Sequence, residues 1–93
     1  MGTFHHDRGE LHGITVVVDT TGPEVYVGRC DTLDEGAIVL LDADVHIAGV
    51  EGSSKEEYVR QVARFGHWKK HERIVIETGK IASVRRLGQV PLQ

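Results

Sequence analysis

Residues 24–47 read EVYVGRCDTLDEGAIVLLDADVHI, and this stretch decides the fold class. Its first eight residues alternate with a period of two, which places Val25 and Val27 on one face of a β-strand. Gly28 stands inside that strand and predicts a bend or a bulge. After a polar turn, 37–47 forms the longest strand candidate of the chain. Because its apolar residues occupy both faces, this strand is expected in the middle of a sheet.

Upstream of this stretch the sequence predicts one more strand. Residues 13–19 are dense in β-branched side chains, which suit a pleated sheet better than a helix. A turn with Gly and Pro at 20–23 joins them to the next strand, so the first three strands form a meander. Asp42 and Asp44 of the third strand are expected on one face, as solvated residues rather than as an acid and a base.

Downstream the pattern changes to a helical period. Ser54 and Glu57 have the spacing of a capping box, and Gly66 is a typical residue to follow the end of a helix. A helix is therefore predicted at about 54–66. Its apolar stripe comprises Tyr58, Val59, Val62, Ala63 and Phe65.

Two more strands follow, at 73–77 and at 80–87, joined by a tight turn at 78–79. Ile81 and Val84 are expected to point inward. The order β-β-β-α-β-β predicts a mainly β fold, a small five-stranded antiparallel barrel with one α-helix inserted between the third and fourth strands.

The chain of 93 residues is short enough for one domain, and its content of 40% hydrophobic and 27% charged residues is that of a globular protein. We expect a flexible leader at 1–11, the barrel at 12–88 and a C-terminal tail at 89–93. No apolar run approaches the length of a membrane span, and Cys30 has no partner for an internal disulfide. A cytoplasmic protein without a membrane partner is expected.

The strand motifs resemble those of the Sm and Sm-like family, whose barrels belong to the SH3-like kind. The first family motif has an apolar strand, a Gly turn, a strand with Gly at its bend, an Asp turn and a very apolar strand that ends in acidic residues. The matching segments here are VVVD at 16–19, Gly22, VYVG at 25–28, Asp34 and IVLLDA at 38–43, and the second motif is IVIETGKI at 74–81.

The resemblance implies assembly into a homo-oligomeric ring, in which the fourth strand of one subunit pairs with the fifth strand of the next. An apolar edge strand also favours assembly on physical grounds, because an uncovered edge invites aggregation. The expected interface residues are Ile74, Val75, Ile76, Ile81 and Val84.

The sequence departs from the family at the residues that bind RNA. Family members that bind single-stranded RNA have a Met-Asn pair after the turn Asp and an Arg-Gly pair at the end of the fourth strand. This chain has Glu35 and Gly36 at the first place and Glu77 and Thr78 at the second. The two glutamates would put negative charge where phosphates should pass, so the family's usual pocket is not expected to work here.

A basic cluster offers another place for nucleic acid. Residues 1–58 carry a net charge of −9 and residues 59–93 carry +6, and five of the positive charges surround the one tryptophan. Cations beside an aromatic ring are typical of sequence-tolerant binding to single strands. We call this set the basic segment: Arg60, Arg64, Trp68, Lys69, Lys70 and Arg73. Alternatively, Trp68 caps the barrel core while the charges are solvated or pair with a neighbouring subunit.

No other cluster carries a catalytic or metal site by its spacing. His67 and His71 could share a metal only if the helix continued past Gly66, and Cys30 lies in a strand pattern where a thiol is usually packed. The sequence thus indicates no catalytic residue, metal or cofactor. Two hypotheses remain: a non-enzymatic Sm-like ring that binds or scaffolds, with single-stranded nucleic acid held by the basic segment, and a protein-interaction or structural module without a nucleic-acid role.

Overall fold

The computed structural model describes residues 11–50 and 52–91. The five strands are β1 (Thr15–Thr20), β2 (Glu24–Leu33), β3 (Ala37–Ile47), β4 (His71–Glu77) and β5 (Ile81–Arg86). Helix α1 (Lys55–Phe65) lies between β3 and β4, and short 3-10 turns at Thr78–Lys80 and Leu87–Gln89 follow the last two strands. Most of the predicted leader lies outside the described residues.

All five strands form one antiparallel sheet in the order β4-β3-β2-β1-β5. This confirms the predicted mainly β fold with five antiparallel strands and, in the described part of the chain, one α-helix. Because β5 pairs with β1 and not with β4, the sheet keeps two edges within the described chain. The predicted barrel is therefore left open between β4 and β5.

The sheet buries an apolar cluster on each face. Successive valines of β1 point to opposite faces of the sheet. Val16 and Val18 belong to the cluster on one face, which we call the first cluster, and Val17 belongs to the second cluster, on the other face. The first cluster is completed by Cys30, Leu33, Ile38, Leu40, Ala43 and Ile76. The second cluster joins Val25 and Val27 of β2 to Val59 and Val62 of α1 and to Val90. The helix is thus held to the sheet by the second cluster.

A bulge changes the direction of side chains halfway along β3. Val27 pairs with Asp44 and Arg29 pairs with Leu41, so Gly28 of β2 lies opposite two residues of β3. One of these two, Asp42, has a φ of +51°. Beyond it, Ala43 enters the first cluster and Asp44 turns toward α1.

Several strand limits differ from the predicted ones for local reasons. Strand β1 begins at Thr15 because Gly13, with a φ of +83°, turns the chain before it. Strand β2 continues to Leu33 because a second register shift lets Leu33 pair with Ile38. Val90, in the predicted tail, is only 7% exposed and packs in the second cluster.

Candidate functional site

Helix α1 begins and ends where its caps require. The Ser54 hydroxyl accepts from the Glu57 N–H at 3.1 Å, and the Ser54 N–H donates to Glu57 Oε1 at 2.9 Å. This backbone hydrogen bond, with the Ser54 side chain, lowers the pKa of Glu57. Gly66, at a φ of +88°, donates its N–H to the Val62 carbonyl at 2.8 Å and ends the helix. Both predicted caps of the helix are present.

The first turn of the helix is anchored to the turn between β1 and β2. The Lys55 ammonium donates to Asp19 Oδ1 at 2.6 Å and to the carbonyls of Thr20 and Gly22 at 2.9 and 2.6 Å. An ammonium has three donors, and these three acceptors use all of them. This contact fixes the N-terminal end of α1 relative to the sheet.

A polar network joins the middle of the helix to β3. The Tyr58 hydroxyl donates to Asp44 Oδ2 at 2.8 Å, and the Tyr58 ring stacks on the His46 ring at a centroid distance of 4.6 Å. His46 Nε2 in turn donates to the Ser53 carbonyl at 2.8 Å. The network holds the Asp44 carboxylate and the Tyr58 ring in fixed positions.

The expectation that Asp42 and Asp44 are solvated residues of one face is wrong for Asp44. The Asp44 side chain is only 5% exposed, and no group of the described residues donates a hydrogen bond to its Oδ1. The Lys70 ammonium lies 4.0 Å from that oxygen, which is close enough for an ion pair but too far for a hydrogen bond. Asp42 remains half-exposed, and the Arg29 guanidinium, at 3.0 Å, is the main cause that lowers the pKa of Asp42.

Beside this carboxylate lies a cleft of about 460 Å³, which we call the aromatic cleft. Phe65 and Trp68 are 80% and 74% exposed at its wall, which is unusual for large apolar side chains. His67 fixes the segment after the helix, because its Nε2 donates to the Asp42 carbonyl at 2.8 Å. The cleft is lined by Asp44, Tyr58, Gln61, Val62, Phe65, Gly66, His67 and Trp68.

All six side chains of the basic segment are exposed: Arg60, Arg64, Trp68, Lys69, Lys70 and Arg73. The structure brings Trp68 and Lys70 to the aromatic cleft, and places Arg60 and Arg64 on the helix and Arg73 on β4. The alternative in which Trp68 caps the barrel core is wrong, because the ring lies at the surface.

The segments that depart from the family at its RNA pocket meet at one corner of the sheet. Thr78 donates its N–H to the Gly36 carbonyl at 3.1 Å and its hydroxyl to the Glu35 carbonyl at 2.7 Å. Ala37 pairs with Glu77 in the ladder of β3 and β4. Glu35 and Glu77 thus belong to touching segments, which concentrates acidic residues at this corner.

The predicted interface residues lie on the two edge strands. On β4, Val75 is 51% exposed and Ile74 is half-buried, whereas the Ile76 side chain is 4% exposed and belongs to the first cluster. On β5, Ile81 and Val84 are half-buried and line a second cleft of about 240 Å³. Val75 is therefore the predicted residue best placed to reach a neighbour with its side chain.

The remaining sequence candidates do not form a reactive site in the described residues. Cys30 is buried, and this burial, with the charge of Asp31 as a lesser cause, raises the pKa of its thiol and opposes a nucleophilic role. Nowhere in 11–50 and 52–91 do three His, Cys, Asp or Glu side chains come together as metal ligands would. The helix of this part of the chain is too short and too polar to cross a membrane.

Sequence reasoning missed the contact between Asp44 and Tyr58 and the cleft that both residues line. Tyr58 appeared only as a member of the apolar stripe, and Asp44 only as a surface charge. The one available signal was the pair of aromatic residues, Phe65 and Trp68, on either side of the glycine that ends the helix.

Comparison with known proteins supports the fold. An Sm protein of Pyrococcus abyssii, solved in complex with a uridine heptamer, is similar in structure with a TM-score of 0.57, over 84% of this chain and 89% of that chain. The two sequences are 16% identical. No protein-family profile matches the sequence, and no curated protein does either. The structure defines a five-stranded antiparallel β-protein with a helix packed on the sheet, and its fold is Sm-like.

Proposed function

We propose that this protein is a non-enzymatic Sm-like homo-oligomer of the cytoplasm, a closed ring that binds single-stranded RNA through the basic segment. The observation that supports RNA binding is the exposure of all six side chains of that segment. Five exposed cations in the same segment as a surface tryptophan would supply both phosphate neutralisation and a stacking platform. The fold-related Sm protein in complex with a uridine heptamer is consistent with this role.

The ring half is supported by the two open edges of the sheet. Strand β4 presents Val75 at one edge, and β5 carries the cleft lined by Ile81 and Val84 at the other. Different edges that join head to tail generate a ring when the rotation closes. Such a contact would add a strand pairing and cover apolar surface in the same step.

The test combines molar mass with RNA binding. We expect light scattering to give a multiple of the subunit mass, and a labelled single-stranded RNA of mixed sequence to bind more weakly at about 200 mM than at about 50 mM salt. Replacing Lys69 and Lys70 together with Ala should reduce the slope of log affinity against log salt by about 1.4, since each phosphate contact on a single strand contributes about 0.7. The matched control is Lys80→Ala, a lysine outside the basic segment. A monomer would overturn the ring, and absence of binding at the lower salt would overturn the RNA half.

A second candidate function is a protein-interaction or structural module that does not bind nucleic acid. The observation that favours it is the acidic corner formed by the segments of Glu35 and Glu77, together with a net charge of −3. In this case the basic residues of one subunit would pair with acidic residues of another. An oligomer that binds no RNA at either salt concentration is the expected result for this function.

A further inference from the structure

We propose that the aromatic cleft recognises a guanine nucleotide, with Asp44 as the residue that selects the base. For guanine within single-stranded RNA this inference rests on the proposed function, whereas for a free nucleotide it does not. The chemistry is the same in both cases: a planar base with two adjacent N–H donors and an attached phosphate.

The aromatic cleft is lined by a hydrogen-bond acceptor that no described residue satisfies. Asp44 lines the cleft, its side chain is 5% exposed, and its Oδ1 receives no hydrogen bond from the described residues. A buried carboxylate oxygen without a donor is costly, and one N–H donor would remove that cost. Its Oδ2 is held by the Tyr58 hydroxyl at 2.8 Å, so the acceptor is oriented before any ligand arrives.

The shape and composition of the cleft walls restrict the kind of ligand that fits. Tyr58, Phe65 and Trp68 supply three aromatic rings around a volume of about 460 Å³, within the usual range of ligand sites. Phe65 and Trp68 expose most of their surface, and a base that stacks on either ring would cover it. The cleft therefore favours a flat ligand over a branched aliphatic one.

The positive charge at the rim of the cleft favours a nucleotide over a cationic ligand. The Lys70 ammonium lies 4.0 Å from Asp44 Oδ1 on a side chain that is 63% exposed, and the exposed Lys69 is its neighbour in sequence. An arginine or lysine from a partner would be repelled by Lys70 while it approached the carboxylate. A nucleotide instead brings a neutral N–H edge to Asp44 and a phosphate to which Lys70 can turn.

The hydrogen-bond donors of the base decide which nucleotide fits Asp44. On its Watson–Crick edge guanine presents two adjacent donors, the ring N1–H and the exocyclic amine. Adenine and cytosine offer one donor beside an acceptor, and uracil offers one donor between two carbonyls. An acceptor next to the donor would face the carboxylate and repel it. A site built around a buried acceptor discriminates strongly against ligands that leave it unpaired.

The experiment uses Trp68, the one tryptophan of the chain, as a reporter inside the cleft. The full-length protein is titrated with GMP, IMP, AMP, CMP and UMP, and quenching of Trp68 fluorescence is measured. We expect GMP to bind best. IMP, which lacks the exocyclic amine, should bind about tenfold more weakly because it loses one hydrogen bond to a charged acceptor. Equal affinities for all five nucleotides, or no quenching by GMP, would overturn the inference.

Two variants separate the base contact from the phosphate contact. Asp44→Asn should weaken GMP about tenfold and remove the preference for GMP over IMP, because the neutral amide is a poorer acceptor for two donors. Because Asp44 is buried and its substitution could disturb the fold, a circular dichroism spectrum that matches the wild type is the control for folding of this variant. Lys70→Ala, at an exposed position, should weaken the binding of GMP but leave the binding of guanosine, which has no phosphate, unchanged. If Lys70→Ala weakened guanosine as much as GMP, the assigned role of the rim would be wrong.

A last arm distinguishes this inference from the proposed function. A cytidine heptamer with a central guanosine is compared with the same heptamer containing inosine. If both RNAs bind equally well, the RNA-binding function stands and recognition of guanine within RNA is refuted, and the GMP titration alone decides the site for a free nucleotide. If GMP quenches Trp68 selectively but neither RNA binds, the guanine site stands and the RNA half of the proposed function is refuted. Quenching by an arginine amide but not by GMP would show a site for a cationic side chain and overturn the inference.

Discussion

Gly28 shows how a single position sets the spacing of two strands. A Cβ built on Gly28 would lie 2.7 Å from the Cβ of Ala43 and 3.1 Å from the Cβ of Leu40. Both contacts involve short side-chain atoms attached to the backbone of β3, so neither can move without shifting the strand. The absence of a side chain at this position allows β2 and β3 to stay paired through the bulge.

We therefore expect Gly28→Ala to lower the free energy of unfolding by about 1–3 kcal/mol, the usual cost of forcing extra volume into a packed core. Urea denaturation followed by circular dichroism measures this change. The control is Gly88→Ala, where a Cβ meets nothing within 4 Å and φ is not positive. A loss below about 0.5 kcal/mol at Gly28, similar to that of an ordinary surface substitution, would contradict the close-packing argument.

The burial of some strand residues could be predicted from the sequence, and that of others could not. The burial of Val25 and Val27 was predictable, because simple alternation continues through the first half of β2. The burial of Asp44 was not, because it depends on the positive φ of Asp42, and no local pattern requires an aspartate to adopt that conformation. The bulge could be predicted from Gly28. The residues of β3 that lie opposite it could not, because they depend on the register between β2 and β3.

Helix α1 is the element that local sequence specifies most completely. Its N-terminal cap is formed by the Ser54 and Glu57 side chains and its C-terminal cap by the Gly66 backbone N–H, all within four residues of the helix ends, so the predicted limits agree with the structure. The place where it packs was not predictable, because Lys55 reaches acceptors 33 to 36 residues away in the chain. The aromatic cleft results from that packing and so could not be predicted either.

The capping box makes the stability of this element depend on pH. The Ser54 hydrogen bonds lower the folded-state pKa of Glu57, so the ionised side chain stabilises the fold above the unfolded-state pKa of about 4.3. That contribution is lost as the pH falls through the folded-state value. Glu57→Gln keeps the hydrogen bond but not the charge. We expect it to be less stable than wild type near pH 7 and the difference to shrink toward pH 3.

Urea denaturation across this pH range gives the difference in free energy of unfolding. Ser54→Thr, which retains a capping hydroxyl, is the matched control and should keep the pH response of the wild type. A difference between Glu57→Gln and wild type that stays constant from pH 7 to pH 3 would show that Glu57 does not stabilise the helix through its charge.

At the scale of the whole molecule the decisive feature is the open sheet. The predicted order of the elements along the chain and the position of the helix agree with the structure, because strand periodicity and turn residues are local signals. The edges β4 and β5 are the feature that the proposed assembly would use. Among the predicted interface residues Val75 is both on an edge strand and half exposed, which makes it the most direct probe of assembly.

We expect Val75→Asp to reduce the molar mass in solution to that of smaller species, because a charge would then be buried between subunits without a partner. Light scattering at several protein concentrations measures this change. The control is Val50→Asp, since Val50 is 75% exposed in the turn after β3 and not on an edge strand. An unchanged mass for Val75→Asp would place the subunit contact elsewhere, and an equal loss for both variants would point to a general effect of added charge.

The displaced alternation at Asp42 has a consequence for how this protein can diversify. Up to Ala43, β3 contributes side chains to the first cluster, among them Ile38 and Leu40. Beyond Ala43 the strand contributes Asp44 and His46 to the network under the helix. The two parts of this strand thus pack in different places, one in the first cluster and the other against the helix. Substitutions at Asp44 or His46 can therefore alter that network without changing a side chain of the first cluster. Within these eleven residues, the packing of the sheet and the surroundings of the aromatic cleft can therefore change through different positions.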